Sequence, residues 1–577
     1  MKIQKIKIHN FRSIEDAEFN LDDYSLLIGE NNSGKTTIIT AIRMFYEDKG
    51  LKFVEARDFP KFQVNDAESW VEIYYITTEE EQENLKEEYK SADNLLKVRK
   101  YLKSSEKTYK GNLYAYENGN LTHENQFYGS TNVGKSKIGK ILYIPALSKT
   151  DEGLKMSGPS PLRDMVNFVF EKVVESSESF KNLSGAFEAF NTEISKEETT
   201  DGFSIDSLTD DINSEISQFG LGFGLGVNTI KPSDIVKNLI SHSFKDSNLE
   251  SDIDDVSALG QGVQRHLIYT LIRLSSKYSE TKTAKKKDFS PDLTIILFEE
   301  PEAFLHPSQQ EQLNVSLRTL SKEDNQQILI TSHSSTFTSK NIQEIKNIIR
   351  INKTVGKAKT FQLNTNSLDT LLNDNVGLYT HFCNILQDPS ESETLKNKIR
   401  GKYGDDTPDE ANKLIEEALK YFLWLDSERS SMFFAKHVVI CEGASEKIFI
   451  DYLLNENWHD LKKKHLYCLD ALGKFNIHRY MNLLGCLGID HSVIMDKDQD
   501  KDVQKQVNEF IDNKKNTFTK EIHAFEIDFE DFLGIPKPPN NRNDLKPMNV
   551  MMRFNNGEIT EPKIEGLKTI IENLIKE

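Results

Sequence analysis

Residues 2–8, Lys-Ile-Gln-Lys-Ile-Lys-Ile, alternate charged and apolar side chains, the period-two signature of a strand with one buried face. Ala17-Glu-Phe-Asn-Leu repeats the alternation, so the chain opens with antiparallel strands. A third strand, Tyr24-Ser-Leu-Leu-Ile, runs into Gly29. The period then changes: from Thr36, the residues Ile38, Ile39, Ile42 and Phe45 fall on one face of a helix. Residues 68–78 and 113–117 read as further strands around a polar, Lys/Glu-rich helix near 79–104, and Ile141-Leu-Tyr-Ile as a buried strand. Residues 150–255 change character, with helical patterns, many acids and a patch of alternate glycines at Gly220, Gly222, Gly224 and Gly226. Strands return at Leu293–Phe298 and Gln327–Thr331, with more at 346–351 and 359–363. A charged helical connector covers 368–430, and residues 431–577 alternate strands and helices, as an α/β domain with a largely parallel sheet does.

A chain of 577 residues exceeds a single core, which predicts two to four domains of α/β type. No apolar run reaches membrane-spanning length, and the N-terminus alternates rather than forming the apolar core of a leader. Four scattered cysteines, Cys383, Cys441, Cys468 and Cys486, give neither a zinc spacing nor a disulfide framework, so a cytoplasmic protein is expected, with no membrane partner. The net charge of −19, from 72 basic and 91 acidic residues, excludes a uniformly basic nucleic-acid sleeve. It does not exclude nucleic acid, because a local groove and bound metal offset a global field.

Gly29-Glu-Asn31-Asn32-Ser33-Gly34-Lys35-Thr36 satisfies G-x-x-x-x-G-K-[ST], between a strand and a helix as that motif requires. The glycines let the backbone curl so that N–H groups through Thr37 point at phosphate oxygens; Lys35 supplies a cation, and the Thr36 hydroxyl a ligand for Mg²⁺. The expected cofactor is ATP. A matching acidic strand, Leu293-Thr-Ile-Ile-Leu-Phe-Glu299-Glu300, lies downstream. Glu299 would join the metal shell and Glu300 would orient the attacking water. His333, after Gln327-Ile-Leu-Ile-Thr-Ser, stands at another strand end, within reach of a γ-phosphate.

A second chemistry sits near the other end. His437-Val-Val-Ile-Cys-Glu442-Gly443 is a short buried strand delivering a carboxylate at its tip, and Ser492-Val-Ile-Met-Asp496-Lys-Asp498 repeats the plan with two. Acidic groups at neighbouring strand ends repel one another and are costly to desolvate, so they usually hold something positive. Hard divalent cations, Mg²⁺ or Mn²⁺, want such oxygen ligands. Glu446 follows Glu442 by four residues, close enough to meet it on the first helical turn. Lys474, after Gly473, is placed to contact phosphate or developing charge. In Asp528-Phe-Glu530-Asp531, Glu530 is the preferred member of a second metal site, and Lys546 a late catalytic or phosphate-binding cation. Asp500 and Asp502 read as solvated loop charges.

The first set of motifs resembles the ABC-type ATPase heads of the SMC and RecF group, as do Asn10-Phe-Arg-Ser and Glu302-Ala-Phe-Leu-His306-Pro307. Gly260, Gly262 and Gln264 occupy the place of the ABC signature, with a departure from the usual Ser-Gly-Gly-Gln spelling. The resemblance implies that two heads sandwich ATP, these three residues acting in trans across a homodimer or higher homo-oligomer. Glu299 stands where that group has aspartate, which leaves slower hydrolysis and a sensing role both open. The C-terminal carboxylates resemble those of a Toprim domain, whose two metals activate water and stabilise the leaving oxygen in phosphodiester cleavage.

An ABC head joined to a C-terminal Toprim domain, with the run Trp424-Leu-Asp-Ser-Glu-Arg-Ser-Ser-Met-Phe-Phe-Ala-Lys before the strand, resembles the OLD (overcoming lysogenisation defect) family of nucleases, which includes nuclease subunits of antiphage systems. The implied division is a head over 1–149 and 256–367, a helical, dimerising insertion over 150–255, a connector over 368–430 and a Toprim nuclease domain over 431–577. The implied activity is metal-dependent DNA endonuclease or nickase, in antiphage defence, regulated by nucleotide, with Glu442, Asp496, Asp498, Lys546 and, in the head, Glu300 as catalytic residues. DNA is the implied partner, with a second defence protein or a nucleic-acid component possible beside it. An ATP-driven clamp or repair scaffold with a non-cleaving Toprim fold is the alternative; intact carboxylates weigh against it. A topoisomerase would need a tyrosine on a further DNA-binding domain, for which the division leaves no room.

Overall fold

The computed structural model describes residues 1–106, 111–124, 126–129, 138–146, 161–175, 177–194, 197–225, part of 235–274, 289, 291, 293–339, 341–403, part of 416–426, 428–498, 501–539 and 542–576. The chain divides into two compact units, Met1–Ala146 with Lys287–Glu302 and Pro307–Glu577, and Leu147–Lys286 with Ala303–His306. No described helix is long and apolar enough to cross a membrane.

The first unit holds two sheets. The larger is built from β1 (Lys2–Phe11), β2 (Ile14–Asn20), β3 (Tyr24–Ile28), β4 (Ser69–Ile76), β5 (Leu95–Lys103), β6 (Leu113–Glu117), β7 (Asn120–Leu121), β8 (Lys140–Ile144), β9 (Thr294–Glu299), β10 (Gln326–Thr331), β11 (Ile348–Thr354) and β12 (Lys357–Phe361). Their order is β7-β6-β5-β4-β1-β2-β12-β11-β3-β10-β9-β8. The alternation read from β1 sends Ile6 and Ile8 into the core and leaves Lys5 and Lys7 outside, and β1 pairs antiparallel with both β2 and β4. β11, β3, β10, β9 and β8 run parallel, so their C-terminal ends share one edge. The helix Lys35–Phe45 buries Ile38, Ile39, Ile42 and Phe45 in the core beneath that sheet.

The helix expected near 79–104 is a misreading. Only Glu79–Glu83 is helical, with a 3₁₀ turn at Glu87–Tyr89, and Leu95–Lys103 is β5. Leu96 and Val98 are buried while Lys97 and Arg99 face outward, a period-two pattern obscured by the density of charge. Arg99 stacks its guanidinium on Trp70 at 3.8 Å and pairs with Glu72 at 2.6 Å across the strands.

The smaller sheet comprises β13 (His437–Cys441), β14 (Leu466–Asp470), β15 (Asp490–Asp496) and β16 (Thr519–Phe525), all parallel in the order β14-β13-β15-β16. All five residues of β13 are buried, as expected of a central parallel strand covered on both faces. After β13 the chain moves to one side, to β14; after β15 it moves to the other, to β16. That reversal opens a crevice beyond the C-terminal ends of β13 and β15, where α/β sheets place ligands. The helix Thr365–Gln387 starts just ahead of the expected connector and runs into it, and Glu393–Tyr403 stands within it.

The second unit contains the helices Pro161–Glu175, Glu178–Ile194 and Ile205–Ile216, the last opened by a reciprocal Ser204/Ser207 cap. Residues 220–225 are exposed and belong to no helix or strand, and Gly226 lies outside the described residues.

Candidate functional site

Two clusters of functional side chains lie at parallel strand ends in the first unit. In the larger sheet, β3 ends at Gly29, whose φ of 153° and Gly34's of 122° curl the loop over the helix N-terminus. A Cβ at Gly29 would collide with the Ile351 carbonyl and come within 2.6 Å of Ser33 Oγ, so only glycine fits. Lys35 is buried and folds back, its ammonium donating to the carbonyls of Gly29 (2.8 Å) and Glu30 (2.9 Å). Burial pulls its pKa down to about 8, against the acids Glu300, Glu302, Glu30 and Glu299. Ser33 is buried with no hydrogen-bond partner for its hydroxyl, while Asn31, Asn32 and Thr36 are exposed and Thr37 is buried.

Glu299 ends β9 and is buried; one oxygen accepts from Tyr143 at 2.8 Å and Oε1 has no hydrogen bond. Burial and that contact push the Tyr143 hydroxyl well up. Glu300 takes a left-handed backbone, φ 45°, and its N–H donates to the Thr331 carbonyl at 2.8 Å, tying it to β10. His333 Nε2 lies 3.8 Å from Glu300, and the His333 backbone N–H donates to Glu302 at 2.6 Å. Burial and the nearby Lys35 ammonium lower the His333 pKa, which leaves a neutral ring at physiological pH. The structure thus brings Gly29–Lys35, Glu299, Glu300 and His333 to one sheet edge. Gly260, Gly262 and Gln264 belong to the second unit, where Gln264 Nε2 donates to the Leu259 carbonyl at 2.6 Å.

The second cluster fills the crevice of the smaller sheet. Glu442 follows β13, its N–H donating to the Ile494 carbonyl at 3.0 Å, and its Oε2 accepts from the Asp496 N–H at 3.0 Å. Burial raises its pKa, only partly offset by Lys474. Glu446, in the first turn of the helix Ala444–Glu456, turns back to accept from the Gly443 N–H at 3.2 Å. Burial, with the carboxylates of Glu442 and Glu530, pushes it up to about 8. Asp496 ends β15 with Oδ1 buried and unpartnered; burial and four neighbouring carboxylates push it to about 8 as well. Glu530, only 1% exposed, has no hydrogen bond to Oε1 and faces Lys546 at 3.5 Å.

Asp498 differs from the rest. Burial works against its charge, yet Lys501 (2.7 Å) and Lys474 (3.0 Å) hold its pKa below the ordinary range. Lys474, expected to meet phosphate, is instead an internal counter-ion: 1% exposed, it donates to the Asp496 carbonyl at 2.5 Å and lies 3.7 Å from Glu442. Asp502, expected as a solvated loop charge, is instead the first residue of the helix Asp502–Asn513, a surface carboxylate paired with Lys398 at 2.9 Å; Asp500 lies outside the described residues. Two groups were not legible beforehand. Tyr143 gave no signal in the sequence; Lys537, which pairs with Asp528, stands in Ile-Pro-Lys-Pro-Pro beside the acidic run.

Among the described residues, no three acidic, histidine or cysteine side chains converge as a finished metal cage. The donor chemistry nonetheless fits a divalent cation. A buried, unpartnered oxygen on Asp496, a buried Glu530 Oε1 with no hydrogen bond and only Lys546 at 3.5 Å, and raised pKa values on Glu442, Glu446 and Asp496 mark an excess of desolvated negative charge. The phosphate loop fits a nucleotide by the same test, with a buried, unpartnered Ser33 hydroxyl and a lysine resting only on carbonyls.

The AAA ATPase domain family matches residues 1–338, and the Overcoming lysogenization defect protein-like, TOPRIM domain matches residues 433–498. The Old nuclease of Escherichia phage P2 is 22% identical over 518 residues, 86% of this chain and 77% of that protein. Endonuclease GajA of Bacillus cereus (strain VD045) is 22% identical over 521 residues, 86% of this chain and 75% of that one. A solved Smc head bound to the C-winged helix domain of ScpA aligns with 64% of this chain and 100% of that one at 14% identity, with a TM-score of 0.37. At that score the likeness carries no weight beside the strand order itself. The chain belongs to the AAA ATPase domain family, carries an OLD-like TOPRIM domain over residues 433–498, and is homologous to Old nuclease and GajA over 86% of its length.

Proposed function

We propose that this protein is an ATP-binding, Mg²⁺- or Mn²⁺-dependent DNA endonuclease or nickase of antiphage defence, with nucleotide regulating cleavage. The observation that carries this reading is the crevice at β13 and β15, where burial and neighbouring carboxylates, Glu442 and Glu530 among them, raise the pKa of Glu446 and Asp496. Old nuclease and endonuclease GajA, matched over 86% of the chain, support the choice of DNA cleavage.

Glu442, Glu446, Asp496 and Glu530 would hold the ions, with Asp498 kept ionised at the rim by its two lysines. Bound there, such ions would supply a nucleophilic water and charge stabilisation for phosphodiester hydrolysis. Lys474 fixes the spacing of the two strand tips. Lys546, a third exposed beside Glu530, meets the scissile phosphate or its leaving oxygen. In the head, Gly29, Asn31, Asn32, Ser33, Gly34, Lys35, Thr36 and Thr37 hold the phosphates, Thr36 and Glu299 the Mg²⁺, and Glu300 with neutral His333 orients the water.

The head would comprise 1–149 and 256–367, the insertion 150–255, the connector 368–430 and the nuclease domain 431–577. Gly260, Gly262 and Gln264 would act on a partner's nucleotide in a homodimer. Exposed Phe203 (73%) and Phe219 (71%) in the insertion support its role in that assembly. The test is calorimetric titration of Mn²⁺ into chelator-treated protein, alongside plasmid cleavage. Wild type should bind metal and regain cutting, whereas Glu530→Gln and Asp496→Asn should bind more weakly; unchanged binding by Asp496→Asn would sink the assignment.

A further inference from the structure

Arg350 is buried, 3% exposed, on β11 of the larger sheet, yet its guanidinium leaves that sheet for the other. It donates to the carbonyls of Gly488 (2.7 Å), Ala435 (3.1 Å) and Leu487 (3.4 Å). Among the described residues no carboxylate pairs with it, and Nε has no hydrogen bond. Burial draws its pKa down to about 10, so the side chain stays charged at neutral pH. A buried charge held by carbonyls alone is costly, and its position accounts for it.

Ala435 and Gly488 each lie two residues before the paired starts of β13 and β15, His437 opposite Asp490. β13 delivers Glu442 just past its last residue and β15 ends at Asp496, about 17–20 Å from those paired starts at the rise of an extended chain. Arg350 therefore ties together the feet of the two strands whose tips carry the carboxylates. Its own strand touches the phosphate loop. Arg350 stands opposite Ile28 of β3, and Ile351 packs against Gly29 through its carbonyl and lies 3.8 Å from the Cβ position of Gly34. The second tie between the sheets is equally close-fitting. Gly488 has φ 65°, and a Cβ there would lie 2.6 Å from the Phe361 ring of β12.

We propose that Arg350 is a positioning residue that carries the state of the phosphate loop to the nuclease crevice, by setting the relative height of β13 and β15. This rests on the reading that nucleotide regulates cleavage. A strand does not stretch, so a shift at its foot is delivered at its tip. Because Glu442 Oε2 accepts from the Asp496 N–H, a slip between the strands changes the spacing of the carboxylates directly. Arg350 is thus a mechanical link that both sites bias.

The test uses full-length wild type, Arg350→Lys and Arg350→Met, with Mg²⁺ and with or without a non-hydrolysable ATP analogue. Plasmid cleavage is read alongside hydrogen exchange of segments 24–36, 435–442 and 487–496. In wild type the analogue should alter exchange in all three segments and alter cleavage, on the order of five- to 150-fold for couplings of ordinary size. Arg350→Met should cut without nucleotide and keep the change at 24–36, but lose the response at 435–442, at 487–496 and in cleavage; Arg350→Lys should retain part of it. Variants that respond as wild type overturn the proposal. So does wild type whose exchange changes at 24–36 alone, a result that stands even if neither variant folds. Wild type that shows all three exchange changes but never cuts DNA contradicts the proposed nuclease activity and leaves Arg350 as the link. Wild type with no change at 24–36 contradicts both.

Discussion

The two clusters occupy the same place in their sheets, the C-terminal ends of parallel strands, but are built from opposite materials. The phosphate site is made mostly of main chain: a curled loop, two glycines and a lysine resting on carbonyls. Its acids are restrained, Glu299 by Tyr143 and Glu300 by β10. The carboxylate crevice is made of side chains from segments far apart in the chain, Glu442, Glu446, Asp496 and Glu530, held together against their own repulsion. One site is poised to receive an anion and the other a cation. A main-chain site is shaped before its ligand arrives, whereas a crowded acidic site takes its final form with it.

The largest expected effect separates the two. Asp496→Asn should slow plasmid cleavage on the order of 10³-fold, the scale of losing a central charge-stabilising element, while nucleotide binding stays at the wild-type level. Next comes Lys474→Met. Removing a buried counter-ion from beneath Glu442 and Asp498 should cost about 3 kcal/mol in thermal or urea unfolding, and added Mg²⁺ should restore part of the loss. Lys35→Ala should weaken ATP binding by about 2 kcal/mol, the value of a charge-assisted hydrogen bond, read by nucleotide titration, with cleavage in the absence of nucleotide retained.

A pH series sharpens the contrast. Glu446 and Asp496 are raised to about 8 in the folded protein, above the ordinary carboxylate range near 4 that they regain on unfolding. The folded state then binds more protons than the unfolded one between those limits, so these groups favour the fold at low pH and that contribution is lost as pH rises towards 8. Melting of metal-free protein should therefore fall across this window, and Mg²⁺ should flatten the slope by favouring the ionised carboxylates. The smallest effect belongs to Asp502→Asn: a surface charge paired with Lys398 should leave cleavage and melting unchanged.

What was legible in the sequence follows the same division. The phosphate loop is contiguous, so Gly29 to Thr36 could be read at a glance, and the strand before it and helix after it are as expected. Glu442 and Asp496 were legible because each ends an apolar run long enough to be a buried strand. Helical spacing brought Glu446 to the cluster, where it caps its own helix. Lys474 was visible as a lysine after a glycine, but not as a counter-ion, since that depends on where Asp498 folds. β5 was misread because the outward Lys97 and Arg99 masked the inward Leu96 and Val98. Tyr143 and Arg350 could not be found at all: each matters only through contacts made more than eighty residues away in the chain.

The most direct test of the account is cleavage of supercoiled plasmid in Mg²⁺ or Mn²⁺, with and without ATP, by wild type, Asp496→Asn and Lys35→Ala together. Wild type should cut at a rate that ATP changes, Asp496→Asn should cut on the order of 10³-fold more slowly in every condition, and Lys35→Ala should cut at the nucleotide-free rate whether or not ATP is present. Cutting by Asp496→Asn at the wild-type rate, or an ATP response in Lys35→Ala equal to that of wild type, would contradict it.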